Sequence, residues 1–267
     1  MPLFHIFLVA VLQGITEFLP ISSSGHLILL PKLTGLEDQG QMIDVAVHVG
    51  TLLAVMIYFW ADLRGAIAGL PRLMRGRADT PGARLAMLLL IATVPVIIIG
   101  LVLQLTGLED KMRSITVIGW TTLIFGLLLY LSDQRGARVH TTTDWTIKHA
   151  VILGFWQAIA LIPGTSRSGI TITGARFLGY ARHDAAKVSM LMSVPTIAAS
   201  GVFLGAKVAV SADMSLLRDG VIAALFSFVA ALLALSLMMR LLRSVSFTPY
   251  VIYRIILGLS LLGFAYL

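Results

Sequence analysis

The chain contains no cysteine, which excludes a disulfide framework and any thiolate metal site. Charge is scarce too: only 12% of its 267 residues are Asp, Glu, Lys or Arg, against about 25% in an ordinary soluble domain. A soluble globular fold is therefore excluded. The N-terminus has no basic segment ahead of its apolar run, so a cleavable signal peptide is not expected. Also missing are the alternating segments of about ten residues that mark an outer-membrane barrel. What is present is apolar: 58% of residues are hydrophobic and mean hydropathy is +0.93, in long runs that Pro and Gly interrupt. This is the pattern of an all-α, polytopic membrane protein. The net charge of +7 lies mostly between the apolar runs. It reads as loop charge that sets orientation rather than as a nucleic-acid surface.

Six uninterrupted spans are expected, at 43–60, 85–106, 115–132, 187–210, 221–239 and 250–267. Two more apolar stretches, 3–31 and 150–180, are broken by Pro, Gly and hydroxyl residues. Such backbone is tolerated at membrane depth only where protein or a wet cavity covers it, so each reads as a re-entrant helix hairpin. The halves 1–132 and 150–267 of this single membrane domain then each hold one hairpin and three spans. Three is odd, so the second half enters from the opposite face, an inverted-topology repeat whose two broken hairpins meet near the midplane. Gly35 follows Gly25 as Gly179 follows Gly169, a weak internal echo. The alternative is a set of eight ordinary spans with proline kinks. The segment 63–84 is read as a basic loop, with Arg64, Arg72, Arg75, Arg77 and Arg84 outnumbering Asp62 and Asp79. The positive-inside rule places it in the cytoplasm, with the weaker 133–148 connection and Arg240 and Arg243. The loop of Glu109, Asp110, Lys111 and Arg113 is neutral and is expected in the periplasm.

Polarity inside apolar sequence is costly and marks function by default. Glu17 lies four residues after Gln13, on the same helical face. A carboxylate there can ligate Mg²⁺ or Ca²⁺, with the glutamine amide oxygen as a further donor; a structural ion pair is the plainer reading. Ser22, Ser23 and Ser24 with Gly25 could simply cap a helix, or could present a helix N-terminus to phosphate oxygens. His26 can exchange a proton near neutral pH. Arg167 sits in Pro163-Gly164-Thr165-Ser166-Arg167-Ser168-Gly169, and its planar fork matches two phosphate oxygens. A salt bridge to Glu17 or Asp44 is the competing reading and can coexist with it. Asp44 and His48 either orient the first hairpin from a second layer or sit at the water interface. Arg254 reads as a snorkelling arginine, and Met190, Met192, Met238 and Met239 as packing.

The run from Gln13 to His26, together with Pro163 to Gly169, resembles the bacterial undecaprenyl-diphosphatase family, also called bacitracin resistance proteins. The resemblance covers essentially the whole chain. It implies an inner-membrane enzyme that removes the terminal phosphate of undecaprenyl diphosphate and so recycles the lipid carrier for peptidoglycan. It places the first motif's acids at Gln13 and Glu17, its hydroxyl at Ser23 and its histidine at His26, and the phosphate-clamping arginine at Arg167 beside Ser166 and Ser168. Many members carry glutamate where this chain has Gln13, which leaves Glu17 as the surviving carboxylate. The expected chemistry is metal-assisted phosphoanhydride hydrolysis. Arg167 and the backbone from Ser166 to Gly169 bind the diphosphate with Ser22, Ser24, Gly25 and Thr165, while Glu17 and Gln13 hold Mg²⁺ or Ca²⁺. His26 acts as acid or base, and Ser23 is a hydrogen-bond partner or a nucleophile. The expected partners are the undecaprenyl diphosphate lipid and the membrane, with a homodimer left open and nucleic acid excluded. A transporter of undecaprenyl phosphate is the alternative, since broken helices and inverted repeats are also transporter features.

Overall fold

The computed structural model describes residues 1–35, 39–108, 112–208 and 214–266. These form eleven α-helices: α1 (Leu3–Phe18), α2 (Ser23–Thr34), α3 (Gly40–Tyr58), α4 (Trp60–Met74), α5 (Pro81–Thr106), α6 (Ile115–Arg135), α7 (Ile147–Ile159), α8 (Arg167–Phe177), α9 (Arg182–Val208), α10 (Met214–Leu241) and α11 (Thr248–Tyr266). Among the described residues there is no strand beyond a single bridge between His140 and Tyr180. Glu109, Asp110 and Lys111 of the neutral loop, the end of the expected span 187–210 and Leu267 lie outside the described residues.

Local chemistry sets the helix ends. Thr80, Ser114 and Thr146 each accept a backbone N–H from the first turn of α5, α6 and α7, satisfying donors that no helical carbonyl can reach. Pro81 opens α5, where a missing N–H costs nothing. Gly35 and Gly107 close α2 and α5 in the left-handed conformation. In the loop before α7, Asp144 accepts the Thr141 backbone and hydroxyl hydrogens at 2.8 and 2.9 Å. Those bonds hold its carboxyl below the usual range.

Six helices, α3, α5, α6, α9, α10 and α11, are long and apolar enough to cross a membrane, whereas α1 and α7 are shorter apolar helices. Leu101, Ile124, Leu233 and Ile256 point outward from the spans, a surface that lipid covers without penalty. The polar side chains are turned inward. The helix α1 packs on α10, α7 on α5, α3 on both α9 and α10, and α6 on α11, while α8 touches α6, α7 and α9.

Two features of the basic segments differ from the sequence reading. The segment 63–84 is not a loop throughout, because Trp60–Met74 is helical. Leu63, Ala66 and Gly69 recur at helical spacing and are buried against the start of α5, so close that a Cβ on Gly82 would lie 2.0 Å from the Gly65 carbonyl oxygen. Arg64 and Arg72 of this helix are exposed, and counting charge alone hid the stripe. Asp133, counted above as loop charge, is 1% exposed. Its carboxylate accepts from Arg182 at 2.7 and 3.0 Å and from the Phe247 N–H at 3.2 Å, with Arg176 at 3.3 Å. It ties the ends of α6 and α8 to the starts of α9 and α11.

Candidate active site

Each short apolar helix is followed by a non-helical break and a second short helix. The first break separates α1 from α2 at Leu19 to Ser22, and the second separates α7 from α8 at Ala160 to Ser166. Ser22 at φ 76° and Ser166 at φ 72° are the only non-glycine residues with positive φ among those described. Such a conformation costs about 1–3 kcal/mol each and persists only where the surroundings impose it. What imposes it is the same in both: the serine hydroxyl accepts the N–H three residues on, Gly25 at 3.3 Å and Gly169 at 3.1 Å. The Ser168 hydroxyl donates across to the Leu19 carbonyl at 2.9 Å, joining the start of α8 to the first break.

Glu17 ends α1 at this junction, and its carboxylate is the hub. Arg167 Nη2 lies 2.9 Å from Oε1, while the Ser23 hydroxyl at 2.7 Å and Gln13 Nε2 at 2.9 Å donate to Oε2. His48 Nε2 stands 4.0 Å from Oε2. Arg167 also donates from Nη1 to the Ser189 carbonyl at 3.3 Å. The acid and the arginine, 150 positions apart in the chain, are thus one ion pair in the middle of an apolar bundle.

A cavity of about 350 Å³ opens over this pair, lined by Glu17, Ser23, Asp44, His48, Gln157 and Arg167 among others. Ser22, Ser24 and Ser166 also face it. A second cavity of about 600 Å³ shares Ser24, Asp44 and His48 and reaches Gln39 and Arg113. The remaining sequence candidates are placed differently. His26 turns away from the Glu17 cavity, its Nδ1 2.6 Å from the Ser22 carbonyl and its Nε2 2.6 Å from the Tyr253 hydroxyl. Gly25 and Gly169 serve the two caps, Ser168 bonds the Leu19 carbonyl, and Thr165 is buried with its hydroxyl unpartnered. Asp44 and His48 come off α3 into the cavity wall. Met190, Met192, Met238 and Met239 are core residues.

Two residues that the sequence reading passed over or misplaced belong to this region. Gln157 is fully buried, lines the cavity and has an unpartnered Oε1. The signal was available, because the spacing that takes Ser22 to Ser166 takes Gln13 to Gln157 and Gly35 to Gly179. Arg254 does not snorkel; it is 0% exposed and donates to four backbone carbonyls. For a hard divalent cation, which wants six or more oxygens, the protein donors are few. No group of three or more His, Cys, Asp or Glu is arranged for a metal among the described residues. Gln13 offers Glu17 its amide N–H, with its own Oε1 buried and unpartnered. The oxygens that line the cavity are those of Glu17, Asp44, Ser23 and the Gln157 amide, so a hard cation there would need phosphate oxygens to complete its shell.

The sequence profile of the family described as "Bacitracin resistance protein BacA" matches residues 6–260. Over 266 residues, covering both chains fully, the sequence is 71% identical to a protein of Ruegeria pomeroyi and 68% identical to one of Jannaschia sp.. It is 46% identical over 267 residues to a protein of Maricaulis maris, with 99% of each chain covered. All three relatives are named undecaprenyl-diphosphatase.

Proposed function

The chain belongs to the bacitracin resistance protein BacA family, and on that premise we propose that it hydrolyses undecaprenyl diphosphate to undecaprenyl phosphate and inorganic phosphate. The observation that carries the reading is the contact of Arg167, Glu17 and Ser23 at the wall of one intramembrane cavity. A guanidinium has five N–H donors, and in the bonds described above one hydrogen of Nη1 and one of Nη2 are committed. The others are free to take the terminal phosphate. A serine within hydrogen-bond reach of a carboxylate that an arginine orients is the arrangement of an activated nucleophile.

In this reading Ser23 Oγ bonds to the terminal phosphorus as the bridging P–O bond breaks. Its proton passes to Glu17, and undecaprenyl phosphate leaves with the bridging oxygen. Water then attacks the phosphoserine, the Oγ–P bond breaks, Glu17 returns its proton to Ser23 and phosphate departs. Arg167 offsets charge on the phosphate oxygens throughout. His48, facing the cavity, is better placed than His26 to relay a proton; His26 fixes the start of α2 through Ser22. A Mg²⁺ or Ca²⁺ ion held by Glu17 and the orphan Gln157 oxygen would supply Lewis-acid polarisation of the phosphoryl group.

The membrane arrangement belongs to the same proposal. Each half is a re-entrant hairpin with three spans, and the second half is inverted. Support comes from the matched serine caps and from packing: exchanging the halves turns the α1–α10 contact into α7–α5 and leaves α3–α9 and α6–α11 in place. The contacts at the helix ends also divide into two sets. Met1 meets Asp219 and Gly220 nears Met42 on one side; Asp62 meets Lys187, and Asp133 meets Phe247, on the other. The arginine-rich set faces the cytoplasm of the inner membrane, so the cavity beside Gln39 and Arg113 opens to the periplasm.

The test is phosphate release from undecaprenyl diphosphate by purified wild-type and Arg167→Ala protein, with EDTA or with added Mg²⁺ or Ca²⁺. The expected result is metal-dependent release that falls about 100-fold or more in the variant. Folded wild-type protein that released no phosphate would replace hydrolysis with transport of the monophosphate carrier.

A further inference from the structure

The two breaks are held against each other by one residue outside both. Arg254 of α11 is fully buried, and no acid is paired with it among the described residues. A bare buried charge is expensive, so its partners matter. Nη1 donates to the Pro20 carbonyl at 3.3 Å, and Nη2 to Gly164 at 3.2 Å and to Thr121 at 3.3 Å. Nε donates to Thr122 at 3.1 Å. Pro20 and Gly164 occupy equivalent places in the two breaks, related by the spacing that takes Ser22 to Ser166. The guanidinium therefore grips the same carbonyl of each break. It also grips α6, whose Thr121 and Thr122 hydroxyls donate to the Pro163 and Gly164 carbonyls at 2.6 and 3.3 Å.

Space has been cleared for it. A Cβ on Gly126 would lie 3.0 Å from Arg254 Cβ, and one on Gly169 would lie 2.9 Å from Nη1. Nothing else described joins both breaks to a third element in this way. The Ser168 bond to Leu19 is a single contact from the start of α8 to the first break. Glu17 stands three residues before Pro20, and Arg167 three residues after Gly164. The distance between the two carbonyls consequently sets how the acid and the arginine meet.

We propose that Arg254 is the positioning residue of the site: by binding the Pro20 and Gly164 carbonyls together it sets the relation of Glu17 and Ser23 to Arg167. It does not line the cavity over Glu17 and Arg167. Lysine cannot replace it, because an ammonium has three donors around one atom and no planar fork. The proposal rests on the hydrolase reading for its kinetic arm only.

The experiment uses the full chain in lipid nanodiscs as wild type, Arg254→Lys and Arg254→Met. It reads phosphate release from undecaprenyl diphosphate and, separately, amide hydrogen exchange by mass spectrometry. A displacement of about 1 Å at a reacting centre costs on the order of 100-fold. Arg254→Met should therefore lose about 100-fold in kcat with KM changed less than about threefold, and Arg254→Lys should recover less than about tenfold of it. Exchange should rise in both variants at 19–25 and at 161–169 while the Asp133 end of the bundle stays as in wild type. If Arg254→Met does not accumulate, Arg254→Lys carries both arms. Wild-type kcat in Arg254→Lys, or exchange that rises evenly along the chain, overturns the proposal. Absence of phosphate release from wild type itself sinks the hydrolase reading, and the exchange arm still decides the role of Arg254.

Discussion

Glu17 is 8% exposed, and at that burial an unpaired carboxylate would cost several kcal/mol. Three donors and one full positive charge offset that cost: Arg167, Ser23 and Gln13. Removing one partner of such a pair strands the other, whereas removing both strands neither. Glu17→Gln and Arg167→Gln should each lower stability by about 3 kcal/mol, and the double variant should lose well under the sum of the two. Thermal unfolding of the four proteins in one detergent gives the cycle, and additive losses would show that the ion pair is not coupled. Ser23 separates the chemical routes. Radiolabelled phosphate should be trapped on the wild-type protein and not on Ser23→Ala, and turnover retained in Ser23→Ala would eliminate the covalent step.

At the scale of the element, the breaks are sites of tight geometry rather than slack. Gly164 has φ 87°, and a Cβ there would fall 2.2 Å from Thr121 Oγ1 and 2.7 Å from the Ile118 carbonyl oxygen. Gly164→Ala therefore combines backbone strain of about 1–3 kcal/mol with an overpacking cost of similar size, and it displaces the carbonyl that Arg254 binds. A Cβ on Gly65, in the middle of α4, would meet nothing within 4 Å, so Gly65→Ala should gain up to about 1 kcal/mol from helix propensity. The Tm values of the two variants should move in opposite directions. A Tm for Gly164→Ala equal to wild type would mean that the second break yields freely. The serine caps explain why two such breaks survive: each supplies, from within the element, the acceptor that the broken helix has lost.

For the whole molecule the open variable is orientation. The cavity beside Gln39 and Arg113 belongs to one set of helix ends and α4 with its arginines to the other, so one labelled position decides both. Because the chain has no cysteine, Gln41→Cys, at an exposed position beside that cavity, introduces a single thiol. It should react with an impermeant maleimide in spheroplasts and be protected in inverted vesicles. The opposite pattern would place the site in the cytoplasm and reverse the direction in which the phosphate product is released.

The sequence by itself determined the solvent and the six long apolar helices. Hydropathy over windows of about 20 residues needs no tertiary information, because a span must satisfy its own backbone in lipid. The same reasoning made Glu17, Ser23 and Arg167 legible, since polarity in an apolar run has no cheap explanation. Cap chemistry, also local, was read at Ser22 to Ser24, whereas the equivalent cap at Ser166 emerged only from the structure. Only the tertiary structure decided which polar groups meet. It turned His26 toward Tyr253 and His48 toward Glu17 and buried Asp133 against Arg182 and Phe247. It also carried Arg254 from an expected headgroup position to the junction of the two breaks. Each of those outcomes is a contact between residues far apart in the chain, set by packing and by the need of every buried donor and acceptor for a partner, and no periodicity along one segment encodes it.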